Sequence, residues 1–108
     1  MTTDLPSLEI AAFTVRPEDE EALVRERPEM IAALKHAFPG ALAAWLTREE
    51  DGRWLDVILW RSREEAEQAA REIEQVPEIR RWFSHIADPG ELRHLEVRHE
   101  ALWLTERD

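Results

Sequence analysis

The sequence contains no cysteine in its 108 residues. That absence excludes disulfide bonds, thiolate zinc sites and a cysteine nucleophile, and it fits a reducing cytoplasm. A basic, apolar signal peptide is also missing at the start of the chain, and no apolar run approaches the roughly 18 residues of a membrane span. We therefore expect a cytoplasmic protein with no membrane partner.

Basic residues are scarce as well, with 14 Lys and Arg against 24 Asp and Glu and a formal net charge of -10. This charge repels phosphate backbones, and no basic stripe offsets it, which argues against a nucleic-acid partner. The length and the 44% hydrophobic content suit one domain over residues 1–108, with a core at about 8–104.

The first part of the chain predicts a strand followed by a helix. Leu8–Val15 has strand character, and Pro17 with the acids after it is typical of a helix start. The helix should reach about Phe38, with Pro28 kinking or splitting it and Pro39-Gly40 ending it. Its apolar stripe, at helical spacing, comprises Leu23, Met30, Ile31, Leu34 and Phe38.

A β-hairpin is predicted next. Ala41–Thr47 and Trp54–Trp60 have strand character, and Asp51-Gly52 between them is typical of a two-residue turn. Such a turn sets the cross-strand partners: Glu50 opposite Arg53, Thr47 opposite Asp56, Trp45 opposite Ile58, and Ala43 opposite Trp60. One face would then carry Trp45, Thr47, Trp54, Asp56, Ile58 and Trp60, and the other Leu42, Ala44, Leu46, Leu55, Val57 and Leu59. Because both faces are apolar, we expect helices on one side and a second copy of the chain on the other.

The remaining sequence predicts two helices and a final strand. Ser62 and Glu65 form a capping box at a helix start, and Pro77 ends that helix. Its narrow buried stripe comprises Ala66, Ala69, Ala70 and Ile73. A short helix over Glu78–Ile86 buries Ile79, Trp82, Phe83 and Ile86. Asp88-Pro89-Gly90 predicts a turn, and Glu91–Leu104 a strand long enough to extend in part beyond its own subunit.

The predicted order is strand, helix, strand, strand, helix pair, strand. This order defines the fold class as α+β, with a ferredoxin-like βαββαβ arrangement and a four-stranded antiparallel sheet that carries its helices on one face.

Two segments also carry a family resemblance. The run Trp60-Arg61-Ser62-Arg63-Glu64-Glu65-Ala66 and the later run Pro77-Glu78-Ile79-Arg80-Arg81-Trp82-Phe83-Ser84-His85-Ile86 resemble the antibiotic biosynthesis monooxygenase (ABM) superfamily of dimeric α/β barrels. The resemblance extends from about Leu8 to Trp103. It implies a homodimer with its two sheets face to face and a pocket between each sheet and its helices. Characterised members oxidise polycyclic phenols to quinones without metal or flavin, or degrade haem, and many relatives have no established activity.

The resemblance also implies roles for single residues. Quinone-forming members have a Trp at the end of the third strand, matched by Trp60, and an Asn four residues earlier, where this chain has Asp56. Arg80 is similar to their helix arginine, but the chain has no tyrosine to match theirs. In the haem-degrading branch a helix histidine, which His85 would match, binds iron, whereas the first-strand Asn of that branch is absent here.

Asp56, Trp60 and Arg80 therefore form the predicted catalytic set. Cofactor-free oxygenation begins with deprotonation of a phenol or an activated carbon. A carboxylate in an apolar pocket binds a proton more tightly than an exposed one, and an arginine stabilises the developing anion. The predicted ligand-binding set comprises Trp82, Phe83 and His85, with the indoles supplying flat surfaces for an aromatic ring.

Structural roles remain open for several of these residues. Asp56 is also explained by a hydrogen bond to Thr47 or to an arginine of a partner subunit. Core or interface positions are expected for Trp45, Trp54 and Trp103, and His36 fits a helix end, where its charge is favoured. His94 and His99 are predicted on opposite faces of the last strand, so they cannot share a metal. We predict no metal site and no resident cofactor.

Three functions remain open. The first is a cofactor-independent monooxygenase acting on a small aromatic or polyphenolic compound. The second is a non-catalytic dimeric binding or interaction domain. A pocket filled by the side chains of Trp60, Trp82 and Phe83 would indicate this function. The third is haem binding or degradation through His85.

Overall fold

The structure, a computed structural model, describes residues 5–103 of the chain. Within these residues, strands and α-helices follow one another in this order: β1 (Ser7–Val15), α1 (Glu20–Arg25), α2 (Arg27–Ala37), β2 (Ala41–Arg48), β3 (Trp54–Trp60), α3 (Arg63–Glu72), α4 (Pro77–Phe83) and β4 (Ile86–Glu96). Short 3₁₀ turns precede α1 at Pro17–Asp19 and follow α3 at Ile73–Gln75. None of the helices in this range has the length and apolar content needed to span a bilayer.

The four strands form one antiparallel sheet in the order β2-β3-β1-β4. The first and third strands lie in the centre, and β2 and β4 are the edges. This is the strand order of a ferredoxin-like fold, so the predicted fold class is confirmed.

The predicted first helix is split at its proline, as expected. The segment α1 ends at Arg25 and α2 begins at Arg27, so Pro28 lies in the first turn of α2, where its missing backbone N–H costs no helical hydrogen bond. Leu23, Met30 and Leu34 from the predicted stripe are buried in the core.

The predicted hairpin register is wrong by one residue. The backbone N–H of Glu49 donates to the carbonyl of Arg53 at 2.7 Å, so the loop has three residues, 50–52. Gly52 adopts a φ of +94°, the left-handed conformation that a three-residue hairpin loop requires near its end. As a result Trp45 lies opposite Val57 and Thr47 opposite Leu55.

This shift moves the side chains of β2 to the other face of the sheet, because side chains alternate along a strand. Trp45 and Thr47 therefore do not share a face with Trp60, contrary to the prediction. Within β3 the periodicity is as predicted, because Trp54, Asp56, Ile58 and Trp60 are all buried on the helix side.

The helix pair α3 and α4 begins at the predicted cap but ends before the predicted Ile86. The Ser62 side chain accepts a hydrogen bond from the Glu65 backbone N–H at 3.1 Å, which confirms the cap of α3. Ala66 and Ala69 are buried, whereas Ala70 is exposed. Helix α4 stops at Phe83, and Ile86 is the first residue of β4 and not the end of a helix.

The last strand is also earlier than predicted, spanning 86–96 and not 91–104. Pairing with β1 reaches from Glu96 back to Ile86, so the predicted turn at Asp88-Pro89-Gly90 is an irregular part of an edge strand, where proline is tolerated. A Cβ on Gly90 would lie 2.8 Å from the Ala12 carbonyl oxygen, so this close approach favours glycine. Leu104 lies outside the described residues, and Trp103 is exposed.

The sheet has two unlike faces. The helix-facing side, together with the helices, forms the core. The opposite side carries apolar residues that are half-buried or exposed, namely Leu8, Ile10, Trp45, Leu55, Val57, Leu59 and Leu95. We call this second set the outer sheet face.

Candidate functional site

An open cavity of about 460 Å³ lies between the helix-facing side of the sheet and the helices. The strands β1 and β3 supply one wall, and α2, the end of α3 and the 3₁₀ turn after it supply another. Most of the lining is apolar, including Ala11, Phe13, Met30, Leu34, Ile58, Trp60, Ala69, Ala70, Ile73, Trp82, Phe83, Ile86 and Leu92. Glu9 and Asp56 from the sheet also line it, and so do the exposed side chains of Glu74 and Glu91.

Trp60 and Asp56 are brought to one wall by the alternation of β3. Trp60 is 1% exposed, and Asp56 lies four residues before it on the same side of the strand. The rings of Trp60 and Phe38 pack edge to face, with centroids 6.4 Å apart, which holds the indole in place. The predicted pair therefore lies in the wall of an apolar cavity.

Asp56 does not bond to Thr47, whose hydroxyl donates to the Leu55 carbonyl instead. Its Oδ1 atom accepts a hydrogen bond from Nη2 of Arg27 at 2.7 Å, and both side chains are about nine-tenths buried. This arginine belongs to the same chain, on α2, and not to a partner. The pair satisfies the buried charge of Asp56, which would otherwise carry a desolvation cost of several kcal/mol.

Arg27 is itself held by an aromatic ring. Its guanidinium carbon lies 5.1 Å from the centroid of the Trp82 ring, within the range of a cation–π interaction. The Trp82 indole N–H donates to the Leu23 carbonyl at 2.8 Å, which fixes the ring between α1 and α4. Trp82 lines the cavity and also supports the buried ion pair.

A second buried pair joins Glu9 on β1 to His94 on β4. The two residues are directly opposite in the sheet, and Nε2 of His94 lies 3.0 Å from Oε2 of Glu9. Their side chains are only 13% and 10% exposed. Burial raises the pKa of Glu9 above its ordinary value of 4.5, the hydrogen bond and charge of His94 oppose this shift, and the charge of Asp56 adds to it.

The Trp60 indole N–H also faces this pair. It favours the charged form of Glu9 and so lowers its pKa, in opposition to burial. It does not reach full hydrogen-bond geometry with any acceptor in residues 5–103. The cavity wall thus combines a buried donor, Trp60, and a carboxylate, Glu9, and the histidine that contacts this carboxylate lies outside the lining.

Two of the predicted site residues lie elsewhere. Arg80 is exposed on α4 and does not line the cavity, because Ile79 and Trp82 occupy the buried side of that short helix. His85 lies after α4, and it too is absent from the cavity lining. Phe83, by contrast, lines the cavity, and with Trp60 and Trp82 it leaves the space open.

The environment of His85 does not suit a haem ligand. Its Nε2 atom lies 3.1 Å from Oε1 of Glu26, and its Nδ1 atom lies 3.6 Å from Oδ1 of Asp19. Both ring nitrogens therefore face carboxylates and not the cavity. Within residues 5–103, no group of three or more His, Asp or Glu side chains is arranged so that it could hold a metal ion.

Sequence reasoning missed Arg27, Glu9 and His94 as parts of the site. Glu9 left a local signal, since it is a lone acid inside the apolar strand Leu8–Val15. Arg27 left none, because an arginine beside a proline in a charged helix is common in sequences. His94 was recognised as a strand residue, but its partner depends on the register between β1 and β4.

No model of a known protein family matches the sequence of this chain, and no curated protein matches it. Similar proteins are found when the folds are compared.

Solved structures with the same fold are numerous. A protein from Nitrosomonas europaea assigned as an antibiotic biosynthesis monooxygenase superposes with a TM-score of 0.68 at 12% identity, over 92% of this chain and 96% of that one. One from Bordetella bronchiseptica with the same assignment gives 0.67 at 18% identity, over 92% and 100%. A mutant form of SnoaB from Streptomyces nogalater, a cofactor-independent oxygenase, gives 0.64 at 16% identity, over 88% and 95%.

These likenesses cover nearly the whole of both chains in each case. The chain thus has the fold of the ABM superfamily, and the resemblance seen in the sequence is confirmed at the level of the fold. At sequence identities this low, the similarity shows that the fold is shared but does not establish the activity.

Proposed function

We propose that this protein is a cofactor-independent monooxygenase that oxidises a small aromatic or polyphenolic compound in the cavity between its sheet and helices. The observation that carries this proposal is the open apolar cavity with Trp60 and two carboxylates in one wall. The fold likeness to SnoaB, a cofactor-independent oxygenase, supports the same reaction class.

The cavity suits an aromatic ring in size and lining. Its volume of about 460 Å³ falls within the range of roughly 300–1,000 Å³ typical of small-molecule pockets, which are mostly apolar with a few polar groups. The rings of Trp60, Trp82 and Phe83 line the space without filling it. Flat apolar surfaces of this kind bind an aromatic ring by stacking or edge contacts.

The proposed reaction converts a phenol to a quinone with dioxygen. A base first takes the O–H proton, which leaves an electron-rich phenolate that reacts with O₂. One oxygen atom remains on the ring carbon as the new carbonyl, and the other leaves as water with two hydrogens from the substrate. The substrate supplies all four electrons, so the reaction requires no external reductant.

Asp56 contributes a fixed charge to this wall. Its ion pair with Arg27 holds the carboxylate in one place beside Trp60, and the guanidinium brings to the site the positive charge that we had assigned to Arg80. A preorganised charge pair in an apolar site acts on a developing anion without reorganisation.

The test is dioxygen consumption with a panel of anthrones, hydroquinones and polyphenols, with quinone formation followed by absorbance. We expect turnover in the native protein and its loss in Ala70→Trp, because the new indole would fill the mouth of the cavity. Ala32→Trp is the matched control, since Ala32 is an exposed helix alanine that does not line the cavity. Equal turnover in the two variants would contradict this site.

A second candidate is a non-catalytic binding domain of the same fold. The observation that favours it is the tight pairing of Asp56 with Arg27, which leaves this carboxylate less free to act as a base. Binding of aromatic compounds without any dioxygen consumption across the panel would support this alternative over the oxygenase.

We further propose a homodimer formed through the outer sheet face. This face carries seven apolar residues that no helix covers, among them Trp45 at 49% and Leu95 at 42% exposure. A contiguous apolar surface of this kind is typical of an interface, and a second copy presents the same surface in return. The cavity lies on the other side of the sheet, so each subunit keeps its own site.

A further inference from the structure

The two carboxylates of the cavity wall occupy different environments. Asp56 is neutralised by a guanidinium 2.7 Å away, whereas Glu9 contacts an imidazole. Glu9 lies opposite Ile58 in the sheet and therefore diagonally across from both Asp56 and Trp60 on the same face. In enzymes, two acids with such different partners in one apolar site often have different roles.

We propose that Glu9 is the proton acceptor of the cavity, taking the O–H proton of a bound phenol onto its carboxylate while His94 holds that carboxylate in position. This inference rests on the proposed function, because it assumes that an aromatic hydroxyl occupies the cavity. It assigns to Glu9 the role of base that the chemistry of a carboxylate in an apolar pocket had suggested for Asp56.

The geometry of the pair supports this division of roles. His94 contacts Oε2 of Glu9, and the Glu9 side chain itself lines the cavity. His94 does not line the cavity, so it acts on the substrate only through Glu9. Glu9 is therefore the catalytic residue, and His94 is a positioning residue.

The proton step balances within the site. The phenol O–H bond breaks, a new O–H bond forms on Glu9, and the negative charge moves from the carboxylate to the phenolate. In the complete reaction the peroxide that forms on the ring carbon takes this proton from Glu9. Glu9 then removes the hydrogen of that carbon as the O–O bond breaks and the carbonyl forms, and it passes this hydrogen to the hydroxide that leaves as water, which regenerates the carboxylate. The pair thus needs no outside acid or base during one turnover.

Other charged groups near Glu9 set the conditions for this transfer. Asp56 on β3 raises the proton affinity of Glu9, and His94 on β4 lowers it. Arg27 on α2 acts through Asp56, to which it is paired. Glu74 after α3 and Glu91 on β4 line the cavity but are exposed, so solvent screens their charges.

The inference can be tested by proton uptake on binding of 4-nitrophenol at a mildly alkaline pH, where this probe is ionised in water. Calorimetry in buffers of different ionisation enthalpy measures the protons taken up, and absorbance shows whether the bound probe is phenol or phenolate. In the native protein we expect uptake of about one proton per bound probe, with the absorbance of the phenolate retained. That combination places the proton on the protein.

Two variants locate the proton. Glu9→Gln keeps an acceptor for His94 but cannot take up a proton, so we expect binding with no proton uptake and a dioxygen consumption at least about a hundredfold lower. Glu96→Gln removes the same charge from an exposed position on β4 outside this cavity, and we expect it to behave like the native protein.

The role of His94 has a separate readout. The hydrogen bond and the charge of His94 favour the ionised form of Glu9. Proton uptake is lost as the pH rises, and in His94→Phe we expect this loss at a higher pH than in the native protein. His94→Gln keeps an N–H donor without the charge, and its midpoint should lie between those of the native protein and His94→Phe. Identical midpoints in all three would overturn the positioning role.

The possible failures are distinguishable. Unchanged proton uptake in Glu9→Gln, or uptake with loss of the phenolate absorbance, overturns the assignment of Glu9 and leaves the cavity proposal standing. No binding of any aromatic probe overturns the proposed function and this inference together. Proton uptake through Glu9 without dioxygen consumption supports the proton acceptor and contradicts the oxygenase.

Discussion

At the scale of single residues, this protein is defined by ionisable groups placed inside an apolar interior. Arg27 and Asp56 have a mutual contact at 2.7 Å, with the Trp82 ring against the guanidinium. Glu9 and His94 form a second buried pair, in which the histidine is charged only when it is protonated. Burying four such groups in a domain of 108 residues carries a large desolvation cost, which points to a use beyond stability.

Removal of Arg27 alone should be strongly destabilising. We expect Arg27→Met to lower the free energy of unfolding by about 3–5 kcal/mol, because Asp56 would remain as an uncompensated buried charge. The double variant Arg27→Met with Asp56→Asn should recover part of this loss. Urea unfolding followed by tryptophan fluorescence measures both.

Arg25→Met provides the control for this prediction. Arg25 is also a helix arginine with acidic neighbours, but its side chain is 65% exposed, so its loss should cost no more than about 1 kcal/mol. A similar loss for Arg25→Met and Arg27→Met would mean that the buried pair has no special energetic role.

At the scale of secondary-structure elements, the loop at 50–52 decides which side chains of β2 lie on the helix side of the sheet. A three-residue loop places Ala44 opposite Ile58 and Leu46 opposite Asp56, and so directs small and aliphatic groups toward the helices. Trp45 is thereby turned to the outer sheet face. One residue in the loop thus determines the composition of both surfaces.

Gly52 should be the most sensitive position of this loop. Its φ of +94° is unfavourable for a residue with a Cβ atom, so Gly52→Ala should lower the free energy of unfolding by about 1–2 kcal/mol. Gly52→Asn should cost less, because asparagine tolerates left-handed conformations. Thermal unfolding of the three proteins provides the comparison, and equal melting temperatures for Ala and Gly would contradict it.

At the scale of the whole molecule, the sheet separates two apolar surfaces. One face closes the cavity with the helices, and the outer sheet face remains apolar and uncovered by them. If the outer face forms the proposed dimer, association stabilises the sheet that carries Glu9, Asp56 and Trp60. The site would then depend on the dimer for rigidity and not for residues.

A charge on the outer sheet face should dissociate this dimer. We expect Trp45→Lys to give a monomer in analytical ultracentrifugation at a concentration where the native protein is dimeric, because a buried lysine has no partner there. Val24→Lys is the matched control, since Val24 is 53% exposed on α1, away from this face. A monomeric native protein would remove the dimer from the proposal.

Much of the fold could be predicted from the sequence because local signals mark it. Pro28 splits the first helix, Ser62 caps α3, and the alternation of β3 buries Asp56 beside Trp60. The hairpin register was predicted wrongly because Asp51-Gly52 is compatible with both a two-residue and a three-residue loop. The final strand was misplaced because a turn sequence at Pro89 and Gly90 forms part of an edge strand.

By itself, then, the sequence determined the order of the elements and the burial pattern along each one, since propensities, caps and alternation act over a few neighbouring residues. Only the tertiary structure decided which ionisable groups meet. Arg27 and Asp56 are 29 residues apart, and Glu9 and His94 are 85 apart. Such pairings depend on strand register and helix packing across the whole sheet, and no local pattern contains that information.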